Sequence, residues 1–420
     1  MEKLKAPRGT QDIFAANAAV FQRIEFAALE TFAAAGYSEI RTPIFESTSL
    51  FKRAVGESSD IVNKEMYSFE DRSDRPMTLR PEGTASVVRA FIEHSLDRGP
   101  KPSKLWYRGP MFRYERPQTG RYRQFHQIGI ECLGSKSIAT DLEVIQLAAQ
   151  LLSKLELPNL TLHINSLGNA GSRLLYRDAL KVFLESHRDA VCEDCQQRYE
   201  SNPLRALDCK VPADQEIYAD APSITDYLDE ESQKIWDNIR KQVKELDCKV
   251  IEDPRLVRGL DYYNHVVFEF KTEDPALGQQ STVLAGGRYD GLVKSLGGPE
   301  TAACGWALGI ERLATLIQKQ NTEQEYRDAI YIICDDVIEA QKLASQLRCE
   351  LNSNTCMPVA VEYDFESAKI GKQIEKASKK KSRFALFYLE DERTSGKVKI
   401  KNLETGEEQE TELAKIKDLI

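Results

Sequence analysis

Positive charge is concentrated in residues 113–127 of an otherwise acidic chain. This stretch, RYERPQTGRYRQFHQ, holds four arginines and a histidine against one glutamate, whereas the 420-residue chain has a formal charge of −9. A guanidinium group can bind a phosphate or a carboxylate through two parallel hydrogen bonds. Gln127 and Glu131 lie four residues apart on the next β-like run, so they face the same side of a strand. The pattern predicts a site that places Arg113 beside an amide and a carboxylate; the alternative is a charged surface hairpin with internal ion pairs.

Two later motifs add an arginine and several tyrosines. In LVRGLDYYN, Arg258 precedes a glycine and can project from a tight backbone. Asp261, Tyr262 and Tyr263 then offer an acceptor, two hydroxyl groups and two aromatic faces. In AGGRYDGL, paired glycines allow a close approach of the backbone just before Tyr289. Each motif alone also fits an ordinary strand or turn with aromatic residues in the core.

An arginine in GWALGIERL sits where a helix should begin. Arg312 falls in the first turn of that predicted helix, where a positive charge opposes the helix dipole. An anionic partner such as a triphosphate would explain the misfit, and a salt bridge to Glu311 is the alternative. The chain has neither a GxxxxGK[ST] phosphate loop nor a GxGxxG motif after a strand. If the protein uses ATP, arginines rather than a glycine-rich loop must hold it.

The elements that position these residues follow from the hydrophobic pattern. LWYRGPMFRYE and FHQIGIECLG are β-like runs that the polar loop RPQTGRYRQ joins into a predicted long hairpin. Helical patterns over about 168–252 interrupt this strand-rich region and predict an inserted helical module. After residue 326, AIYIIC, MPVAVEY and RFALFYL alternate with helical patterns, which predicts a parallel sheet with helical crossovers. We therefore expect one domain over 1–325 and an α/β domain over 326–420.

Composition limits the class of protein. The hydrophobic content of 41% is ordinary for a globular chain, and no apolar run has the length of a membrane span. The nine cysteines are scattered and odd in number, and no apolar leader is evident at the N-terminus, which predicts reduced thiols in a cytoplasmic protein. Cys192, Cys195 and Cys209 suggest a zinc site, for which His187 or Cys248 could be the fourth ligand.

Taken in order, the motifs resemble the class II aminoacyl-tRNA synthetases, and among them the histidyl-tRNA synthetase family. GYSEIRTPIFESTSLFKRAVGESSDIVNKEMYSF is similar to the first class II motif, FRYERPQTGRYRQFHQIGIE to the second and ALGIERL to the third. LVRGLDYYN and AGGRYDGL resemble the two histidine signatures of the family. The resemblance implies an α+β class II catalytic core, an antiparallel sheet flanked by helices with a helical insertion, followed by a C-terminal α/β anticodon-binding domain.

The resemblance also implies roles for individual residues. L-histidine is expected to contact Glu82, Gly83, Thr84, Gln127, Glu131, Arg258, Tyr262, Tyr263 and Tyr289. Arg113 and Arg258 correspond to catalytic arginines, and ATP is expected at Arg113 and Arg312. The tRNA acceptor end is expected at Arg116, Gln118, Arg121 and Arg123.

The expected reaction is the activation of histidine with ATP and its transfer to the 3' end of tRNA(His). Mg²⁺ on the outer phosphates and a homodimer built through the first motif are further expectations from the resemblance. Residues 365–401 carry eleven Lys/Arg and five Asp/Glu, a local net of +6 that suits phosphate contact in the tail. Three alternatives remain open: a histidine-binding regulatory paralogue of ATP phosphoribosyltransferase, a non-catalytic tRNA-sensing synthetase-like domain, and a synthetase for another amino acid.

Overall fold

The chain forms two compact units, Met1–Gln320 and Asn321–Ile420. The structure is a computed structural model, which describes every residue except 1–2, 57–58, 60, 158, 210, 261, 279–280, 321–326, 353–357, 367 and 420. The predicted domain boundary between residues 325 and 326 falls outside the described residues. None of the helices in the described parts of the chain has the length and apolar character of a transmembrane span.

The first unit combines strands with flanking helices. Its strands are β1 (Ser38–Glu39), β2 (Phe45–Ser47), β3 (Tyr67–Glu70), β4 (Pro76–Leu79), β5 (Ser103–Phe112), β6 (Gln124–Leu133), β7 (Leu160–Ser166), β8 (Lys249–Glu252), β9 (Asn264–Thr272), β10 (Thr282–Arg288) and β11 (Ala303–Gly309). Its helices are α1 (Ala15–Ala34), α2 (Thr48–Val55), α3 (Thr84–Glu93), α4 (Ile138–Lys154), α5 (Ala170–Glu185), α6 (Glu193–Ser201), α7 (Pro212–Tyr218), α8 (Glu230–Val243), α9 (Leu292–Ser295) and α10 (Ile310–Gln320). Helices α5 to α8 lie within the segment 168–252, which we propose is an insertion into the first unit.

The main sheet is antiparallel through its centre. Its strand order is β1-β5-β6-β11-β10-β9-β7-β8, and only the outermost pairs, β1 with β5 and β7 with β8, are parallel. A smaller sheet has the order β2-β4-β3. The predicted hairpin is confirmed, because β5 pairs antiparallel with β6 along its whole length. The other edge of β6 pairs with β11, which sets Glu131 opposite Gly305 and Gln127 opposite Gly309.

Helix α1 covers one face of the main sheet. Its buried face includes Phe32, whose ring lies 5.6 Å from that of Trp106 on β5 and 5.5 Å from that of Trp306 on β11. The Trp306 indole donates a hydrogen bond of 2.9 Å to the carbonyl of Val144 on α4. Burying such large rings against two helices stabilises the sheet by several kcal/mol, at roughly 25 cal/mol per Å² of apolar area. The helices therefore leave the hairpin and β9 to β11 as a rigid platform for side chains on the opposite face.

The second unit has its own apolar core. It consists of β12 (Arg327–Ile333), α11 (Val337–Leu351), β13 (Ala360–Tyr363), α12 (Ile370–Lys379), β14 (Ser382–Phe387), α13 (Glu390–Ser395), β15 (Lys397–Asn402) and β16 (Glu408–Glu412). Strand β12 lies between β13 and β14 and is parallel to both, as the β-α-β-α-β pattern predicts. Strands β15 and β16 extend the sheet in antiparallel pairing.

Candidate active site

A cavity of about 680 Å³ opens on the first unit, and the three predicted nucleotide arginines all line it. Arg113 follows β5, Arg258 lies in the loop before β9, and Arg312 stands in the first turn of α10. More than 190 residues of sequence separate the first from the last, so only the sheet brings them together. The cavity walls otherwise come from the hairpin loop, from β9 to β11 and from the helical segment between β7 and β8.

Three of the predicted histidine contacts cluster at the start of α3. The Glu82 carboxylate accepts hydrogen bonds from the backbone N–H groups of Thr84, at 2.7 Å, and Ala85, at 2.8 Å. Burial raises the pKa of Glu82, although these two hydrogen bonds oppose the rise. Gly83 packs against the ring of Tyr107, where a Cβ would lie 2.1 Å from a ring carbon. Glycine is therefore required there if Glu82 is to reach the cavity.

Glu131 lies deeper, behind Thr84. Its carboxylate accepts a hydrogen bond of 2.6 Å from the Thr84 hydroxyl and another from the Tyr289 hydroxyl. The side chain is buried, and desolvation raises its pKa to about 8. On the neighbouring strand, Gly305 faces it so closely that a Cβ would lie 2.1 Å from Glu131 Oε2. Sequence reasoning missed Gly305, whose only signal was its place in the small-residue run ACGWALG.

Tyr262 and Tyr263 line the cavity, and the buried ring of Tyr289 packs against them. The centroids of Tyr262 and Tyr263 are 4.6 Å apart, and the Tyr289 ring lies 5.6 Å from the first and 6.4 Å from the second. Gln127 also lines the cavity, and its Oε1 is buried with no hydrogen-bond partner among the described residues. Asp261, named with the tyrosines in the sequence analysis, lies outside the described residues.

Arg258 is held by a carboxylate that the sequence analysis did not single out. Its guanidinium forms an ion pair with Glu269 on β9, and its Cζ lies 5.3 Å from the Tyr263 ring centroid. Glu269 also accepts a hydrogen bond of 2.9 Å from the Thr282 hydroxyl. Burial alone would raise the pKa of Glu269, but Arg258 and then Lys271 outweigh it and hold that pKa below its usual value. The sequence did hold one signal for Glu269, since it is a charged residue inside the apolar run VVFEF.

The other two arginines are oriented by backbone carbonyls. Arg113 Nε donates to the carbonyl of Pro81 at 2.9 Å, and Arg312 Nη1 donates to the carbonyl of Thr282 at 2.5 Å. Burial lowers the pKa of Arg312, and the nearby charge of Arg121 lowers it further. Because several guanidinium groups converge on one partly buried cavity, the site is suited to a multiply charged anion.

The four predicted tRNA contacts differ in their surroundings. Arg121 lines the cavity and pairs with Glu115. Arg116 and Gln118 are exposed, and the backbone of Gln118 is bridged to that of Arg121. Arg123 folds back, with its guanidinium 3.9 Å from the Tyr114 ring centroid.

Comparison with known proteins gives one consistent answer. The family model for histidyl-tRNA synthetase matches residues 9–313, and that for the anticodon binding domain matches residues 329–420. The chain is 46% identical to the histidine–tRNA ligase of a Picosynechococcus species, over 96% of this chain and 94% of that protein. It resembles the crystal structure of apo histidyl-tRNA synthetase from S. aureus with a TM-score of 0.76, at 36% identity over 99% of both chains.

A further solved structure bears on the alternative that the chain is a regulatory paralogue of ATP phosphoribosyltransferase. A protein of Bacillus halodurans described as an ATP phosphoribosyltransferase regulatory subunit/histidyl-tRNA synthetase has a TM-score of 0.65 but only 20% identity, covering 93% of this chain and 99% of that chain. At that identity it shows a shared fold alone. A regulatory paralogue is expected to lack the anticodon domain, whereas residues 329–420 of this chain match the model of that domain. With one family model covering the catalytic unit and full-length relatives of the same description, the chain belongs to the histidyl-tRNA synthetase family.

Proposed function

We propose that the cavity activates L-histidine with ATP and that the histidyl group then passes to the 3' end of tRNA(His). This is the reaction named for the relatives, histidine–tRNA ligation. The convergence of Arg113, Arg258 and Arg312 on a pocket of buried carboxylates and tyrosines is the observation that carries the proposal. Guanidinium groups suit a triphosphate, and the carboxylates and hydroxyls suit an amino acid with a polar ring.

The amino acid is proposed to lie with its imidazole toward Glu131. Glu82 and Thr84 line the cavity, whereas Glu131 lies behind Thr84, so Glu82 is assigned to the α-ammonium group together with Thr84. Gln127 Oε1 is an acceptor that a ligand N–H would satisfy. Glu131 and the Tyr289 hydroxyl, at the buried end, would recognise the ring nitrogens. A substrate without those nitrogens would leave buried polar groups unpaired, which is the strongest available basis for rejection.

The arginines are proposed to stabilise the charge that develops on the α-phosphate. A carboxylate oxygen of histidine attacks the α-phosphorus, the bond to the bridging oxygen breaks, and pyrophosphate leaves with the electron pair. Arg258 would contact both the histidine carboxylate and the α-phosphate, while Arg113 contacts the α-phosphate and Arg312 the γ-phosphate. Their carbonyl and carboxylate partners hold them in place beforehand, so little reorganisation is needed in the transition state.

Mg²⁺ is the expected companion of the triphosphate, and three of the carboxylates that line the cavity are already engaged by protein partners. Glu115 pairs with Arg121, Glu269 with Arg258, and Glu311 accepts hydrogen bonds from His126. Mg²⁺ prefers phosphate oxygens and water with only one or two carboxylates.

We also propose that the protein is a homodimer and that it is located in the cytoplasm. The first motif is proposed to form a homodimer interface, and the apolar surface of the small sheet supports this. Phe45 and Phe69 are about half exposed there, with ring centroids 6.4 Å apart. A mass in solution equal to the 47.6 kDa chain would contradict a dimer. A cytoplasmic location remains a prediction from the reduced cysteines.

The decisive assay is ATP–pyrophosphate exchange without tRNA, with each standard amino acid in turn. Exchange is expected with histidine and at least about 10⁴-fold less with the others, because the pocket is built from hydrogen-bonding groups. Folded protein that exchanges nothing would favour the regulatory paralogue, and exchange driven by another amino acid would show that the pocket assignment is wrong.

Histidine binding is expected to release protons through Glu131. Its pKa of about 8 keeps this carboxyl mostly protonated at pH 7 before histidine binds. An imidazole N–H donated to it favours the ionised form and lowers the pKa, so binding at pH 7 should release up to about one proton, and little above pH 9. Calorimetry in buffers of different ionisation enthalpy measures this number. Glu131→Gln should remove the pH-dependent part of the proton release. Equal proton release from the wild type and the variant would contradict the proposed contact between Glu131 and the imidazole.

A further inference from the structure

Four potential metal ligands meet in the helical segment between β7 and β8. The Sγ atoms of Cys192, Cys195 and Cys209 and a carboxylate oxygen of Asp214 all lie within 4.8 Å of one another. Cys192 Sγ and Cys209 Sγ are 3.8 Å apart, and Cys209 Sγ is 3.2 Å from Asp214 Oδ2. Three of the four residues are buried, and Cys192 is half-buried. None of them takes part in the proposed adenylation chemistry.

These distances match one tetrahedral ion. A Zn–S bond of about 2.3 Å places two sulfur ligands of a tetrahedron about 3.8 Å apart, which is the separation of Cys192 and Cys209. Three thiolates with one carboxylate favour zinc, because soft sulfur ligands do not suit Mg²⁺ or Ca²⁺. The spacing also resembles that of structural zinc sites, since Cys192 and Cys195 form a C-x₂-C pair at the start of α6.

The surrounding backbone is arranged for negatively charged ligands. The N–H of Cys192 lies 3.2 Å from both carboxylate oxygens of Asp214, and the N–H of Val211 donates to Cys209 Sγ at 3.4 Å. Hydrogen bonds of this kind hold metal ligands in position. Asp214 is buried, and the described residues supply no lysine or arginine to pair with it. A buried carboxylate without a cation is costly, and a bound metal ion would supply the missing positive charge.

The fourth ligand differs from both residues suggested by the sequence. His187 directs Nδ1 to within 2.9 Å of the Phe183 carbonyl, and its ring lies 4.6 Å from the Phe183 ring. Cys248 packs against the core beneath the main sheet, whereas the three clustered cysteines belong to or border a separate core. Asp214, near the start of α7, lies with the three cysteines in the position suggested for His187 or Cys248.

We propose that Cys192, Cys195, Cys209 and Asp214 bind one structural zinc ion. The ion joins the start of α6, the turn before α7 and α7 itself, three pieces too short to be stable alone. Cys192 and Cys209 also line the active-site cavity, and Arg205 between them donates a hydrogen bond to the carbonyl of Gly259, next to Arg258. The zinc site therefore fixes the wall that supports the arginine loop.

Two other accounts of the cluster make different predictions. A reversible disulfide between Cys192 and Cys209 would need no metal and would consume two thiols on oxidation. A simple hydrogen-bonded group, in which the Cys209 thiol donates to Asp214, would leave all the thiols reactive and bind no ion.

Metal analysis of the full chain, purified without chelators or an affinity tag, tests the proposal. About one zinc per chain is expected after stoichiometric zinc is added and the excess removed. Cys195→Ser and Asp214→Asn should each lower zinc affinity at least about tenfold, while Cys248→Ser, a matched thiol outside the cluster, should retain it. Less than about a tenth of an equivalent in the wild type, or unchanged binding in both cluster variants, would overturn the proposal.

X-ray absorption at the zinc edge of the wild type keeps the test valid if a variant fails to fold. Three sulfur neighbours at about 2.3 Å and one lighter neighbour at about 2.0–2.2 Å are expected. Asp214→Cys should retain the ion and convert this shell to four sulfurs. A shell without sulfur would mean adventitious zinc on the surface, and thiol titration showing two cysteines lost on oxidation without zinc would favour the disulfide.

Discussion

Arg258→Ala is expected to slow histidine-dependent ATP–pyrophosphate exchange by about 10²- to 10³-fold, the usual cost of removing one preorganised charge donor from a transition state. The guanidinium is largely buried in the cavity, with its ion-pair partner Glu269 fixing its direction. Arg258 is proposed to contact the histidine carboxylate before reaction and to stabilise the charge that builds up as the α-phosphate is attacked, so KM for histidine should rise and kcat should fall by a larger factor. Exchange rates at saturating and limiting histidine separate the two effects.

A control is needed because Arg258→Ala also leaves Glu269 without its main partner. An unpaired buried carboxylate can destabilise a protein by about 3–5 kcal/mol and disturb the pocket. In Arg258→Ala/Glu269→Gln that charge is removed, so stability should recover while exchange stays slow. Arg258→Lys keeps the charge but not the planar fork, and we expect it to recover only part of the rate. The affinity for tRNA should be nearly unchanged in all three. Recovery of exchange in the double variant would show that Arg258 acts only by neutralising Glu269.

The comparison of Glu131 with Glu269 shows how far sequence reasoning reaches. Glu131 was identified because a local pattern, the hairpin with its four-residue spacing to Gln127, places it. Glu269 has no local signature, since its role depends on Arg258 and on Thr282, whose strand pairs with β9 through the sheet register. The same limit explains why Gly305 was missed: this glycine matters only because β11 pairs with β6, which sets it opposite Glu131.

The cysteine cluster illustrates that limit in another way. The C-x₂-C spacing showed that Cys192 and Cys195 could share an ion, because three residues of a helix start bring two side chains together. The fourth position depended on how α7 folds back: Asp214 lies five residues after Cys209 and His187 five residues before Cys192, whereas Cys248 is 39 residues beyond Cys209. Within the arginine set, the family resemblance places Arg121 at the tRNA acceptor end, and the structure shows that Arg121 also lines the cavity. Local pattern thus identifies elements and motifs, whereas long-range pairing decides which motifs meet.

Removing the second unit after Gln320 is expected to separate the two half-reactions. All residues that line the cavity lie between Glu82 and Arg312, and each unit has its own apolar core. Exchange without tRNA should therefore stay within about threefold of the full chain, whereas kcat/KM for tRNA charging should fall at least about 10²-fold, since the phosphate contacts of the basic segment 365–401 are lost.

Salt dependence of tRNA binding tests the same idea in the intact chain. If the net charge of +6 over residues 365–401 binds phosphates, the affinity of the full chain should fall steeply as salt rises. The chain without this unit should show a shallower slope, and Lys369→Gln/Lys372→Gln, two exposed changes on or beside α12, should reduce the slope by about two if both lysines contact phosphate. If truncation reduced exchange and tRNA charging equally, that result would contradict the assignment of histidine activation to the first unit and of tRNA binding to the second. An unchanged slope would mean that the unit recognises tRNA through uncharged contacts, because only displaced counterions make binding depend on salt in this way.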